Sequence, residues 1–268
     1  MNIEFTKMHG AGNDFIMVDD REETFPVENR EWMAAVGTRH TGVGCDGFIL
    51  VRNSENADFR MRFFNPDGGE VEMCGNGARC VARFARDIGV ANDVMSFETV
   101  AGILRAEVLG DDVCLHLTKP VDWSLNQTLE IDGEQIVYSM VNTGVPHVVV
   151  EVDDLAKIDL CRMGAAIRYH DEFKPAGTNA NFITVTGTNS LAVRTYERGV
   201  EDETLACGTG MTACALIAGR MGKVVSPVKV TCAFGDILTV GYTLDADGAS
   251  NVTLAGGAEY VFCGVIEV

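Results

Sequence analysis

The chain of 268 residues is poor in basic charge: 21 Lys and Arg stand against 39 Asp and Glu, for a net charge of −18. Such a field repels phosphate backbones, and no basic stripe overrides it locally, which argues against nucleic acid as a partner. Long apolar runs are also missing. None reaches the roughly 18–20 residues a membrane span needs, so no membrane association is expected. The opening MNIEFTKMHGAGNDF has no basic stretch followed by an apolar one, which predicts no secretory signal and a cytoplasmic protein. The nine cysteines include no Cys-x-x-Cys, which argues against a thioredoxin-like redox centre. No Cys or His pair has zinc-ligand spacing, so no metal is expected. A P-loop is absent, and none of the six lysines sits in a pyridoxal-phosphate signature. One Gly-x-Gly-x-x-Gly exists, Gly42 to Gly47. It follows a helical stretch and precedes the strand FILV, the reverse of the dinucleotide-binding order.

What is present describes a folded protein with a real core: 47% hydrophobic and 22% charged residues. Short alternating or β-branched runs dominate and read as strands: IEFTKM, FIMVDD, FILVRN, FRMRFF, VCLHLT, HVVVEV, NFITVT, LAVRTYE, VKVTCA, ILTVGY and YVFCGVIEV. Helical patterns are fewer. Asn29 to Gly37 and Cys161 to Tyr169 are candidates, and the two clearest are GNGARCVARFARDIG and GTGMTACALIAGRMG.

Those two segments belong to an internal repeat. Each follows a cysteine in Cys-Gly-x-Gly, Cys74-Gly75-Asn76-Gly77 and Cys207-Gly208-Thr209-Gly210, an offset of 207 − 74 = 133 residues. Each has a Glu four residues before the first Cys (Glu70, Glu203), a second Cys on the helix (Cys80, Cys214) and a closing Gly 15 residues after the first Cys (Gly89, Gly222). Upstream, MRFFN at 61–65 parallels VRTYE at 193–197. The repeat predicts an α+β fold of two pseudo-symmetric halves, each a mostly antiparallel sheet wrapped around a central helix. A boundary near Lys119-Pro120 gives halves of 1–118 and 119–257, with a C-terminal strand at 258–268 returning to complete the first.

A thiol placed just before a helix meets the positive end of its dipole and its unpaired amides, which together favour the thiolate. Gly-x-Gly lets the backbone approach a bound group, and the same amides can receive a carboxylate. One such element is a weak signal, because a lone Cys is usually a core residue. Two related elements are a stronger one. If the halves face each other, a planar carbanion would meet a thiol on each side, the requirement for inverting a carbon: one thiolate removes the α-proton and the other thiol returns one. Cys45, Cys80, Cys114, Cys161, Cys214, Cys232 and Cys263 are expected to be core thiols, and His116 and His170 structural.

At this point the residues resemble a known family. FFNPDGGEVEMCGNGARC (63–80) and YERGVEDETLACGTG (196–210) are similar to the two signature segments of diaminopimelate epimerases. FTKMHGAGNDFIMVD, NTGVPHVVVEV and GTNANFITV resemble the same family in the same order, so the likeness spans nearly the whole chain. The resemblance implies epimerisation of LL-2,6-diaminoheptanedioate to the meso form without metal or coenzyme, in a homodimer, with Cys74 and Cys207 as the acid–base pair. It implies that Asn13, Asn65 and Asn179 contact substrate, and that Glu197 and Arg198 hold an amino group and a carboxylate. Gly75-Asn76 and Gly208-Thr209 correspond to the backbone pockets for the reacting carboxylate, and His147 and Glu197 to residues supporting the chemistry. The chain departs from the family pattern at Val145, where many members have Asn, at Gly47, where some have Gln, and in a spacer from Glu197 to Cys207 one residue longer than in some members. A racemase or epimerase of proline or hydroxyproline is the nearest alternative. A non-catalytic amino-acid-binding protein is the alternative from another class.

Overall fold

The structure is a computed structural model describing residues 1–268. Its chain divides into two units, the first Met1–His116 with Ala255–Val268 and the second Leu117–Leu254. The first contains β1 (Asn2–Gly10), β2 (Asn13–Asp19), α1 (Arg30–Gly37), β3 (Gly47–Arg52), β4 (Phe59–Phe64), β5 (Glu70–Val71), α2 (Gly75–Asp87), β6 (Val94–Thr99), β7 (Gly102–Leu109) and β8 (Asp112–His116). The second is built from β9 (Val121–Ile131), β10 (Glu134–Asn142), β11 (Pro146–Glu151), α3 (Leu160–Arg168), β12 (Asn179–Gly187), β13 (Ser190–Glu197), β14 (Asp202–Glu203), α4 (Gly208–Arg220), β15 (Val228–Thr231), β16 (Ile237–Asp245) and β17 (Gly248–Gly257) up to its Leu254. A last strand, β18 (Glu259–Glu267), pairs antiparallel with β1 along its length.

The repeat extends to strand pairing. In the first unit β18–β1, β1–β2, β3–β4, β4–β5 and β6–β7 are antiparallel, while β2–β3 and β4–β6 are parallel. The second unit follows the same scheme. Its β9–β10, β10–β11, β12–β13, β13–β14 and β15–β16 are antiparallel, with β11–β12 and β13–β15 parallel. Each half is therefore mostly antiparallel with two parallel pairs.

A helix buried on all sides belongs in the middle of a domain. Gly210 through Gly219 of α4 are all buried, and α2 is buried over most of its length. The α2 helix packs on β1, β2, β3, β7 and β8, and α4 on β10, β11, β12, β13, β15 and β16. Both helices stop in the same way. Gly89 and Gly222 share φ +72, and the amide after each bonds back to the third-last helical carbonyl (Val90 to Ala85, Lys223 to Ala218), closing a Schellman turn.

Several strands escape the sequence patterns: β6, β7, β9, β10, β17 and the two-residue β5 and β14. The β9 strand, VDWSLNQTLEI, is mostly solvent-facing and polar, so it carries little alternation. Its hairpin to β10 does have a signal, Asp132-Gly133, with φ +55 and +82 at the turn.

Candidate functional site

Cys74 and Cys207 are the N-cap residues of the two central helices. Both have extended backbone, φ −132 and −109, and neither side chain makes a capping hydrogen bond to the backbone of the first helical turn. The carbonyls of Cys74 and Cys207 accept the amides of Ala78 and Met211 at 2.8 Å each, fixing the cysteines against the helix start. Cys74 is half-buried, and Cys207 is buried. The deeply buried thiols differ in kind. Burial pushes Cys80 up to about 12 and raises Cys214 well above its ordinary value, as it does Cys45, to about 12. These are inert packing groups.

Each cysteine loop is pinned by a repeated clasp. Arg62 on β4 holds Glu70 on β5 with two bonds, 2.7 and 2.8 Å, and Arg194 on β13 holds Glu203 on β14 with two of 2.8 Å. These are the glutamates four residues before each Cys. The fork-to-carboxylate geometry sets direction as well as distance, so it orients the short strand from which the chain turns to the thiol. Arg194 Nη1 also donates to the carbonyls of Leu155 and Ile158. Arg194→Met is expected to cost about 1–3 kcal/mol, since it leaves Glu203 without its charged partner. Urea unfolding checks this, and a change below about 0.5 kcal/mol would mean that the clasp holds nothing in place.

Around Cys207 lies a buried polar network. Thr209 Oγ1 is 3.5 Å from Cys207 Sγ and 2.9 Å from His147 Nε2. His147 Nδ1 is 3.3 Å from Asn181 Nδ2, and Thr195 Oγ1 donates to Asn181 Oδ1 at 2.9 Å. Glu197 accepts from Thr204 Oγ1 at 2.8 Å and shares a hydrogen bond with Cys207. Burial pushes Glu197 above the usual carboxylate range, which those bonds partly offset. Asn179 donates to the Pro146 carbonyl at 3.0 Å and accepts the Arg198 amide at 2.9 Å. The Arg198 guanidinium donates to the Ala176 carbonyl at 3.0 Å.

His147 is fully buried, and burial, reinforced by the Arg198 cation, pushes it down to about 3. It is thus neutral wherever the protein works. An unfolded histidine titrates near 6.5. Below that pH the unfolded chain takes up a proton that the folded chain refuses, so stability present above about pH 6.5 drains away as pH falls toward 3. Between about pH 7 and 5 the urea midpoint should fall more in the wild type than in His147→Gln. Equal slopes in the two proteins would show that His147 does not carry this acid limb.

The first unit has a network of a different kind. The fully buried Arg79 donates to Asn76 Oδ1 at 2.9 Å, Asn76 Nδ2 to Asn13 Oδ1 at 2.6 Å, and Asn13 Nδ2 to Asp46 Oδ2 at 3.0 Å. Two predicted ligand contacts thus hold each other. Asp14 beside them is held below the usual carboxylate range by Lys7 and Arg39, against the opposing effect of burial. Asn65 stands apart on the turn after β4, exposed, with its backbone bonded to Gly68 and Gly69.

The second glycine of each motif is a spatial requirement. A Cβ at Gly210 would sit 2.5 Å from Asn181 Oδ1 and 3.3 Å from both Cys207 Sγ and His147 Cε1. At Gly77 it would sit 2.7 Å from Ile49 Cδ1 and 3.5 Å from the Phe15 ring. Gly47 also has a structural reason: a Cβ there would meet Phe63 Cε2 at 2.4 Å and the Phe64 carbonyl at 2.7 Å, so no glutamine fits.

Sequence reasoning missed Asn181, Thr195, Thr204, Asp46 and Arg79. Asn181 had a signal, since residues two apart on a strand face the same way, and Asn179 was already singled out. Two cysteines expected in the core are on the surface. Cys161 lies on the outer side of α3, where its neighbour Leu160 takes the buried place, and donates to Asp202 at 3.2 Å. Cys263 lies on the solvent side of β18. No three His, Cys, Asp or Glu side chains cluster as a metal site would require. No helix is long and apolar enough to cross a membrane.

The family model for diaminopimelate epimerase matches residues 5–121 and 139–259. A diaminopimelate epimerase from Aquifex aeolicus (strain VF5) is 44% identical, covering 98% of this chain and 97% of the relative. One from Archaeoglobus fulgidus is 42% identical, covering 100% of this chain and 98% of the relative. Among solved structures, a phenazine biosynthesis protein of the PhzF family from Bacillus anthracis has a TM-score of 0.75 at 20% identity over the full length of both chains. A hydroxyproline epimerase from Agrobacterium vitis has 0.71 at 16% identity, covering 99% of this chain and 92% of that one. At those identities the likeness is one of fold.

Proposed function

The chain belongs to the diaminopimelate epimerase family, and from that premise we propose that Cys74 and Cys207 invert one α-carbon of 2,6-diaminoheptanedioate. The reaction takes the LL form to the meso form and serves lysine and peptidoglycan precursor synthesis. One thiolate removes the α-proton, and the other thiol delivers a proton to the opposite face of the planar carbanion. Each half, 1–118 with 258–268 and 119–257, supplies one thiol. The amides at Gly75-Asn76 and Gly208-Thr209 start the central helices, where positive potential stabilises a carboxylate as it takes on enolate charge. Arg198 offers a planar fork to the distal carboxylate, and Asn13, Asn65 and Asn179 add neutral donors and acceptors. His147 and Glu197 support the reacting centre, His147 through its contact with Thr209 and Glu197 through its hydrogen bond with Cys207.

The observation that carries this proposal is the repeat itself. In both units a cysteine caps the buried central helix, on a loop pinned by the same Arg–Glu clasp. Incubation with LL-diaminopimelate in D₂O tests it. Deuterium at the α-carbon together with meso product is the expected result, and folded, reduced protein giving neither would overturn the substrate assignment. Proline and hydroxyproline in the same assay should show no exchange.

The proposal includes a homodimer in the cytoplasm, where nine thiols stay reduced. The exposed apolar side chains of β18 support the dimer: Tyr260, Val261, Phe262 and Val265 are 40–60% exposed, and a second copy would cover them. Light scattering should give twice the chain mass for the wild type and a single chain mass for Val261→Asp with Val265→Asp. A monomeric wild type would remove the dimer.

A further inference from the structure

The network beside Cys207 has a direction. Asn181 Nδ2 donates to the Val148 carbonyl at 2.8 Å, and Asn181 Oδ1 receives the Thr195 hydroxyl at 2.9 Å. A backbone carbonyl can only accept, so the amide cannot be turned the other way. The same nitrogen faces His147 Nδ1 at 3.3 Å. Nδ1 is therefore the lone-pair nitrogen and Nε2 carries the proton. Nε2–H donates to Thr209 Oγ1 at 2.9 Å, which leaves the Thr209 hydroxyl hydrogen directed at Cys207 Sγ, 3.5 Å away.

From this we propose that Asn181 is a positioning residue: it sets the His147 tautomer and thereby makes the Thr209 hydroxyl a donor to the Cys207 thiolate. The inference rests on Cys207 being a catalytic thiol, as proposed above. It assigns Thr209 a side-chain role beyond its backbone amide, and gives His147 the part of a fixed donor.

The twin half shows that the fold does not require this arrangement. Against Gly77 of the first motif lie the Phe15 ring and Ile49 Cδ1, whereas against Gly210 of the second lie His147 Cε1 and Asn181 Oδ1. The strand registers agree, since Gly47 pairs with Phe15 and Asn179 with His147, which puts Ile49 and Asn181 two residues further along. Apolar side chains fill the first pair of positions, and polar ones that can direct a proton fill the second. At the place of Thr209 the first half has Asn76, whose amide is engaged with Asn13 and Arg79. The relay thus serves Cys207 alone. The charged and titratable groups around it are Glu197, bonded to Cys207, Arg198 beside His147, and Cys214 on the same helix. None of these acts through Thr209.

Two measurements on the full chain test the inference without substrate. The first is nitrogen NMR of ¹⁵N-histidine-labelled protein, which reads the tautomer of His147 directly. A protonated Nε2 is expected in the wild type and a protonated Nδ1 in Asn181→Asp, whose carboxylate attracts the proton. The second is the rate of iodoacetamide alkylation at Cys207 against pH, resolved by peptide mass spectrometry. Losing one hydrogen bond to a charged sulfur should slow alkylation near pH 7 about tenfold in Thr209→Val. Thr209→Ser, which keeps the hydroxyl, should restore it. A wild-type His147 protonated at Nδ1, or identical profiles for the Val and Ser variants, would overturn the proposal. Should Asn181→Asp not fold, the wild-type tautomer and the Thr209 pair decide. If instead Cys207→Ser turned over normally, the catalytic assignment would fall while these readouts still reported on the relay.

Discussion

Replacing either Cys74 or Cys207 with serine is expected to lower epimerase turnover by about 10²–10⁴-fold while the protein stays folded. Serine is close to isosteric, and each position is a helix N-cap, where serine is among the favoured residues. Stability should therefore hold or rise slightly. The hydroxyl cannot stand in for the thiol, because its proton leaves far less readily at neutral pH. The two positions act as one unit, so the double variant should lose little beyond the worse single one. Turnover with LL-diaminopimelate, alongside the circular dichroism melt, checks this. A folded single variant within tenfold of the wild type would remove that cysteine from the mechanism.

Gly210→Ala should be nearly as damaging, by steric displacement. Its Cβ would land 2.5 Å from Asn181 Oδ1, an atom already held by the Thr195 hydroxyl. The amide cannot retreat without releasing the Val148 carbonyl and His147, and the new methyl also presses on Cys207 Sγ at 3.3 Å. A shift of about 1 Å in a reacting group costs on the order of 10² in rate. Alanine's better helix propensity, about 1 kcal/mol over glycine, offsets part of the stability loss. Activity should accordingly fall far more than the melting temperature. The companion Gly77→Ala meets Ile49 Cδ1, the far end of a flexible side chain, so it should be the milder of the two. Equal activity losses in the two variants would show that the polar surroundings of Gly210 do not matter.

The sequence shows most of the scaffold where chemistry repeats. Cys-Gly-x-Gly, the glutamates at 70 and 203 and the glycines at 89 and 222 locate both central helices, because caps and stops depend on local conformation. The arginines that pair with those glutamates lie in the parallel runs MRFFN and VRTYE, but their pairing needs β4–β5 and β13–β14 to form. Asn13 and Asn76 read as two separate ligand contacts in one dimension; folded, they are bonded to each other, which takes the β2 start to the α2 start. His147 and Asn181 meet through a parallel register across 34 residues, and no local pattern encodes that. The surface places of Cys161 and Cys263 are not legible because cysteine as a residue type favours the core, while the side of α3 or β18 on which they fall is set by neighbours.

One topological feature bears on how the protein is made. The β18 strand comes last in the chain yet runs the length of β1, pairing from Asn2 with Glu267 to His9 with Glu259. During synthesis β1 emerges well before β18 and lacks its neighbour on that side until β18 follows. The second unit, Leu117–Leu254, has all of its own strands before β18 exists. Birth order and completion order are therefore reversed: the half translated earlier is the later to close its sheet, because β1 waits for β18.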